Sequence, residues 1–74
     1  MNITVKLFAT LRNGRFEQGS LDPDAGTTVR SVLEKLAITP DEAAIVFVNG
    51  RHAEPERPLS DGDTISIFPL IGGG

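Results

Sequence analysis

The chain has no cysteine, no tryptophan and no tyrosine, and a single histidine among its 74 residues. Without cysteine there is no disulfide framework and no thiol chemistry of its own, which suits a reducing compartment. One histidine alone gives no metal-ligand spacing, so no metal site is expected. Basic residues are scarce and scattered: Lys6, Arg12, Arg15, Arg30, Lys35, Arg51 and Arg57 form no run, and the pI is about 4.9. A nucleic-acid partner demands a basic face, so none is expected. No apolar stretch approaches the roughly 20 residues that cross a bilayer, and the N-terminal segment lacks a signal-peptide core. The expectation is a soluble, cytoplasmic protein with no membrane partner.

What the chain does contain is the composition of one small globular domain: 39% apolar residues and a net charge of −3. A domain of this size buries only about 60% of its unfolded surface, so its core is modest and has no room for a large pocket.

Residues 2–10 alternate, with Ile3, Val5, Leu7 and Ala9 on one side and Thr4, Lys6, Phe8 and Thr10 on the other, the period of a half-buried strand. Phe8 is a large aromatic on the polar side. It serves either as cover over a neighbouring strand or as an exposed partner contact. Asn13-Gly14 is a hairpin signal in a loop with room for more than two residues, and residues 16–21 form the returning edge strand. After the turn residues Asp22-Pro23-Asp24-Ala25-Gly26, Thr27 or Thr28 caps a helix whose apolar stripe is Val29, Val32, Leu33 and Leu36. Thr39-Pro40-Asp41-Glu42 reads as a second cap, of a single turn. Residues 44–48 are continuously apolar, as in a strand buried on both faces or nearly so. Asn49-Gly50 turns the chain into a brief edge strand over residues 51–54. A loop between Pro55 and Pro58 and a tight turn at Asp61-Gly62-Asp63 lead to the last strand, with Ile65 and Ile67 inward and Phe68 on the other side.

The order β-β-α-β-(β)-β predicts an α+β fold: a mixed sheet packed on one main helix, the β-grasp or ubiquitin-like arrangement. First and last strands then lie parallel at the centre, which sets Phe8 beside Phe68 on the face away from the helix. The domain is expected over residues 1–69, with residues 70–74 as a flexible tail ending in Gly-Gly.

Side chains offer little chemistry. His52, beside a turn, reads as a surface residue, the two aspartates around Gly62 as turn formers, and no serine has a histidine placed to activate it. Gly72-Gly73-Gly74 cannot cradle phosphate, because no helix follows. What remains is a carboxylate on Gly74, at the end of an arm narrow enough to thread a partner's active site. Extended, residues 70–74 reach about 17 Å. A carboxylate is a poor electrophile until a partner adenylates it, after which a thiolate or persulfide can attack.

Lys6-Leu7-Phe8-Ala9-Thr10-Leu11-Arg12, Val48-Asn49-Gly50, Leu59-Ser60-Asp61-Gly62-Asp63 and Ile67-Phe68-Pro69-Leu70-Ile71 before the glycines resemble the MoaD/ThiS sulfur carriers. The first and last segments look more like the small subunit of molybdopterin synthase than the thiamine-pathway carrier. The resemblance implies that Gly74 is adenylated and then thiocarboxylated, and that its sulfur passes to a cofactor precursor. It implies no bound cofactor, ATP being used by the activating partner, and no catalysis by the chain alone. The implied partners are a ubiquitin-activating-type adenylyltransferase and the large subunit of molybdopterin synthase, or a thiazole synthase. Phe8, Phe68, Pro69, Leu70, Ile71 and His52 are the expected partner-binding residues, with Gly72 and Gly73 in the tail. Family tails usually carry Thr or Ala where Gly72 stands. The alternatives are a thiamine-thiazole carrier, a protein modifier joined through Gly74 to lysines, or a ubiquitin-like interaction module with an inert tail.

Overall fold

The computed structural model describes residues 1–39 and 41–69. Strands β1 (Ile3–Leu7), β2 (Gln18–Leu21), β3 (Ala43–Val48), β4 (Arg51–His52) and β5 (Thr64–Pro69) form one sheet in the order β2-β1-β5-β3-β4. β1 and β5 are parallel at its centre, and the other neighbours are antiparallel. One helix, α1 (Val29–Lys35), covers one face, giving the expected β-grasp architecture. Ile3, Val5, Leu7, Val46, Val48, Ile65 and Ile67 project from the sheet into the core, where they meet Val29, Val32 and Leu33 of the helix.

Backbone groups at both helix ends are satisfied from elsewhere in the chain. Thr28 is the N-cap and its hydroxyl accepts from Ser31 N at 3.3 Å. The amides of Val29 and Arg30 donate to the carbonyls of Arg57 (3.0 Å) and Pro55 (2.8 Å), so the irregular loop after β4 supplies acceptors that the helix lacks. At the other end, Ala37 N donates to Glu34 O and Ile38 N to Leu33 O, a Schellman closure. Ala37 occupies its left-handed position at φ 57°. Arg15 then lays its guanidinium on the carbonyls of Leu11, Leu36 and Ala37, tying the β1–β2 connection to the helix end.

A second polar knot holds the start of β5. Asn49, at φ 53° in the two-residue β3–β4 turn with Gly50, donates from Nδ2 to Asp63 Oδ1 at 2.8 Å and accepts at Oδ1 from Thr64 N at 2.9 Å. Asp63 Oδ2 accepts from Ser60 N at 2.8 Å. These bonds favour the ionised carboxylate: the Ser60 amide above all, then Asn49 and the charge of Arg57, hold the Asp63 pKa below its ordinary value against the opposing effect of burial.

Several expectations need correction. β1 stops at Leu7, because the chain turns into a short 3₁₀ helix, η1 (Ala9–Arg12), with Ala9 at φ 53°. Ala9 is therefore exposed, and Leu11 takes the next core position. The returning strand is only Gln18–Leu21, and the edge strand only Arg51–His52, with Ala53 folded into the core. β3 is buried on one face: Val46 and Val48 face the helix, while Ile45 is 44% exposed. A single helix cannot cover both sides of a sheet. Leu36, the last residue of the apolar stripe, is half-buried and packs against the edge of the core. The cap at Thr39, by contrast, is as expected: Thr39 and Glu42 exchange the bonds of a capping box around a single turn. Pro40 lies outside the described residues.

Two stability predictions follow from these contacts. Asp63→Asn must turn an amide NH₂ toward one of its two donors, so at neutral pH it is expected to cost about 1–3 kcal/mol in denaturant unfolding. Because the folded pKa is depressed, the wild-type advantage is full above the unfolded value of about 3.9 and is lost as pH falls through the lower folded value. The two proteins should therefore converge in strong acid; an unchanged gap there would contradict this. Ala37→Gly relieves a left-handed alanine and should stabilise by about 0.5–1 kcal/mol, after allowing for the entropy of the freer unfolded chain. A lowered Tm would count against that reading.

Candidate functional site

The sheet face opposite α1 is open, and the strand registers fix what stands on it. Lys6 is paired with Gln18 and with Ser66, Ser66 with Phe47, and Phe47 with His52, so one row of side chains crosses all the strands. Toward the start of β5 lies a row of hydroxyls, Ser20, Thr4 and Thr64. Toward its end, Ile45 pairs with Phe68, and Phe8 N donates to Ile67 O at 3.2 Å, which brings Phe8 alongside Phe68. The apolar part of the open face is thus at the end of the sheet from which the chain leaves β5.

The aromatic rings are in contact from one strand to the next. Phe8 and Phe68 stack with centroids 4.2 Å apart and planes 8° from parallel. Phe47 meets Phe68 edge-on at 5.8 Å, and His52 meets Phe47 edge-on at 6.3 Å. Arg12, carried back by η1, donates from Nε to Leu7 O at 2.8 Å and sets its guanidinium 5.7 Å from the Phe8 ring centre. Each aromatic pair is worth about 0.5–1.5 kcal/mol beyond area burial, and an exposed cation–π contact about 0.5–1 kcal/mol. The rings are therefore fixed in position while remaining only half-buried. A pre-ordered apolar surface of this kind suits protein docking.

Among the expected partner-binding residues, the structure brings Phe8, Phe68 and His52 onto this one face. Pro69 is buried, its backbone paired with Ala43, so its side chain is not part of the surface. Leu70, Ile71, Gly72, Gly73 and Gly74 lie outside the described residues. Sequence reasoning missed Ile45, Phe47 and Arg12. The apolar run 44–48 hid the period-2 pattern that sends Ile45 and Phe47 to the open face; the tight return of η1, which places Arg12, has no comparable signal.

Elsewhere the molecule offers little for chemistry. A hollow of about 260 Å³ lies between α1 and β4, floored by Val29, Leu33, Ile38, Val46 and Ala53. Arg30, Glu34, His52 and Glu54 on its lining do not form a nucleophile–base pair among the described hydrogen bonds. Among the described residues no cluster of His, Asp and Glu could hold a metal ion, and no helix is long and apolar enough to cross a membrane.

Comparison with known proteins agrees with this architecture. SAMP1 from Haloferax volcanii superposes with a TM-score of 0.78 at 24% identity, both chains being covered in full at 100%. A putative molybdopterin converting factor subunit 1 from Pyrococcus furiosus gives 0.78 at 24% identity, over 96% of this chain and 99% of that one. A protein–protein complex of subunits 1 and 2 of the molybdopterin-converting factor from Helicobacter pylori contains a chain matching at 0.66 and 23% identity, over 100% of both. These likenesses establish the fold. No curated protein matches the chain. The ThiS family model matches residues 5–74, nearly the whole length, and the protein accordingly belongs to the ThiS family of ubiquitin-fold sulfur carriers.

Proposed function

We propose that this carrier holds sulfur as a thiocarboxylate on Gly74, and that the open aromatic face docks the enzymes that load and unload it. The observation that carries this reading is the Phe8–Phe68 stack, placed at the end of the sheet where β5 hands the chain to the segment ending in Gly73-Gly74. From the end of β5, one residue past Phe68, the terminal carboxylate can reach about 17 Å, the extended length of residues 70–74. Residues 1–69 act as the docked body and residues 70–74 as the segment that enters the partner's site.

The chemistry belongs to the partners. A ubiquitin-activating-type adenylyltransferase uses ATP to join AMP to the Gly74 carboxylate, releasing pyrophosphate. Sulfide attacking the carbonyl carbon displaces AMP and leaves the thiocarboxylate directly. A persulfide displaces AMP to give an acyl disulfide, whose S–S bond a partner thiol then cleaves, releasing the thiocarboxylate and a disulfide. The carrier's share is recognition and delivery, and it becomes part of a working synthase only when docked. The pathway we favour is molybdopterin synthesis, with this chain as the small subunit beside a large catalytic one. The terminal segment Ile67-Phe68-Pro69-Leu70-Ile71 and the fold shared with the Pyrococcus furiosus and Helicobacter pylori subunits 1 support that choice. Gly72, in place of a residue with a side chain, makes the segment costlier to order by about 0.5–1 kcal/mol.

Incubation with the adenylating enzyme, ATP and a sulfur source should change the intact mass by one oxygen-to-sulfur exchange, and one extra residue after Gly74 should abolish it. Appearance of a lysine isopeptide adduct instead would favour a protein modifier. Phe68→Ala should raise the Kd for the adenylating enzyme at least tenfold, about 1.4 kcal/mol, with the far-ultraviolet spectrum unchanged. Ser20→Ala, on the hydroxyl row, should leave Kd within twofold. Equal affinities for both variants would remove the aromatic face from the docking site.

A further inference from the structure

The chain is acidic overall, yet no strand residue that stands on the open face is acidic. Thr4, Lys6, Gln18, Ser20, Ile45, Phe47, His52, Thr64, Ser66 and Phe68 stand on it by register, and Lys6 is the one formally charged residue among them. At the border Arg12 leans over Phe8, and its companion Glu17 sits 3.5 Å from Arg12 Nη2. That pair is largely solvent-exposed, and Glu17, which lines one hollow with Lys6, Phe8 and Gln18, cancels one border charge and leaves the two cations Lys6 and Arg12 in excess there. Nine side-chain carboxylates remain, of which Asp24 and Asp41 are exposed in the connections before α1 and β3. Asp22 holds the N-terminal ammonium, Asp61 the Asn2 amide, and Asp63 the Ser60 amide; Glu56 pairs with Arg30, and Glu42 caps at Thr39. Glu34 lies on the helix, on the far side of the sheet, and Glu54 in the loop beside it.

We propose that the partner meets the aromatic face with a surface that is apolar at its centre and carries carboxylates toward the β1–β2 side, where Lys6 receives them. This rests on the docking reading above and adds the partner's charge to it. The net charge of −3 alone would predict repulsion from such a surface. The local arrangement predicts attraction, because at about 0.1 M salt charges farther away than roughly 10 Å are screened while those on the docking face are not. A charge at the border of an interface acts mainly on the rate of encounter rather than on the lifetime of the complex.

The test is association kinetics with the adenylating enzyme encoded in the same genome, immobilised, using the full chain and three charge variants. Lys6→Glu should lower kon about fivefold at low salt with koff within twofold, and the effect should fade as salt is raised to about 0.5 M. Lys6→Gln, milder toward the fold, should give an intermediate loss. Glu34→Lys makes the opposite change in net charge on the helix side and should move kon less than twofold. If Lys6→Glu and Lys6→Gln bind at the wild-type rate while Phe68→Ala is impaired, docking stands and the acidic partner is overturned. Equal and opposite shifts from Lys6→Glu and Glu34→Lys would also overturn it, since net charge alone would then be steering. If Phe68→Ala is not impaired, or if the wild-type chain does not bind, the docking reading falls and this inference with it.

Discussion

The parallel pairing of β1 with β5 is the constraint on which the rest of the molecule depends. It joins the first and last strands side by side at the centre of the sheet, with Val5 opposite Ile65 and Leu7 opposite Ile67. Those inward residues make the floor on which Val29, Val32 and Leu33 rest. The same register, continued by one residue, places Phe8 against Phe68. Core and aromatic face are therefore two sides of one pairing. A slip of one residue would send the isoleucines to solvent and the phenylalanine under the helix.

The polar contacts serve that pairing by fixing where its strands begin and end. Asn49 and Asp63 pin the turn at one end of β3 to the start of β5, and Asp61 and the Asp63 carbonyl hold the amides of Asn2 and Thr4 beside them. At the other end, Arg12 accounts for the Leu7 carbonyl and Arg15 for those left open by the helix. Among the described residues no buried side-chain polar atom lacks a partner. In a domain with so small a core, these bonds do much to select a single register, because a shift in any strand would strand several buried groups at once.

Much of this was legible in the sequence because two periods were clean. Ile3, Val5 and Leu7 against Thr4 and Lys6, and Ile65 and Ile67 against Ser66 and Phe68, each announce one buried face. The spacing of Val29, Val32 and Leu33 announces the helix that covers it. Placing Phe8 with Phe68 required only the strand order. The run 44–48 misled, since alternation cannot be read where every residue is apolar, and Phe47 and Ile45 were hidden by it. Ala9 and Ala37 misled in another way. Both take left-handed backbone that alanine disfavours, and there tertiary contacts overrule local preference. Pro69, expected among the partner-binding residues, is turned inward by the alternation of β5.

The strand order also bears on how the protein comes into being. Synthesis delivers β1, β2, α1 and β3 first, yet β1 and β3 are joined only through β5, which is made last and pairs with both. Until then Phe8 has no Phe68 ring to stack on. A chain cut short of its last strand cannot offer a partial docking face. A complete aromatic face is thus a property only of chains whose synthesis has passed Phe68.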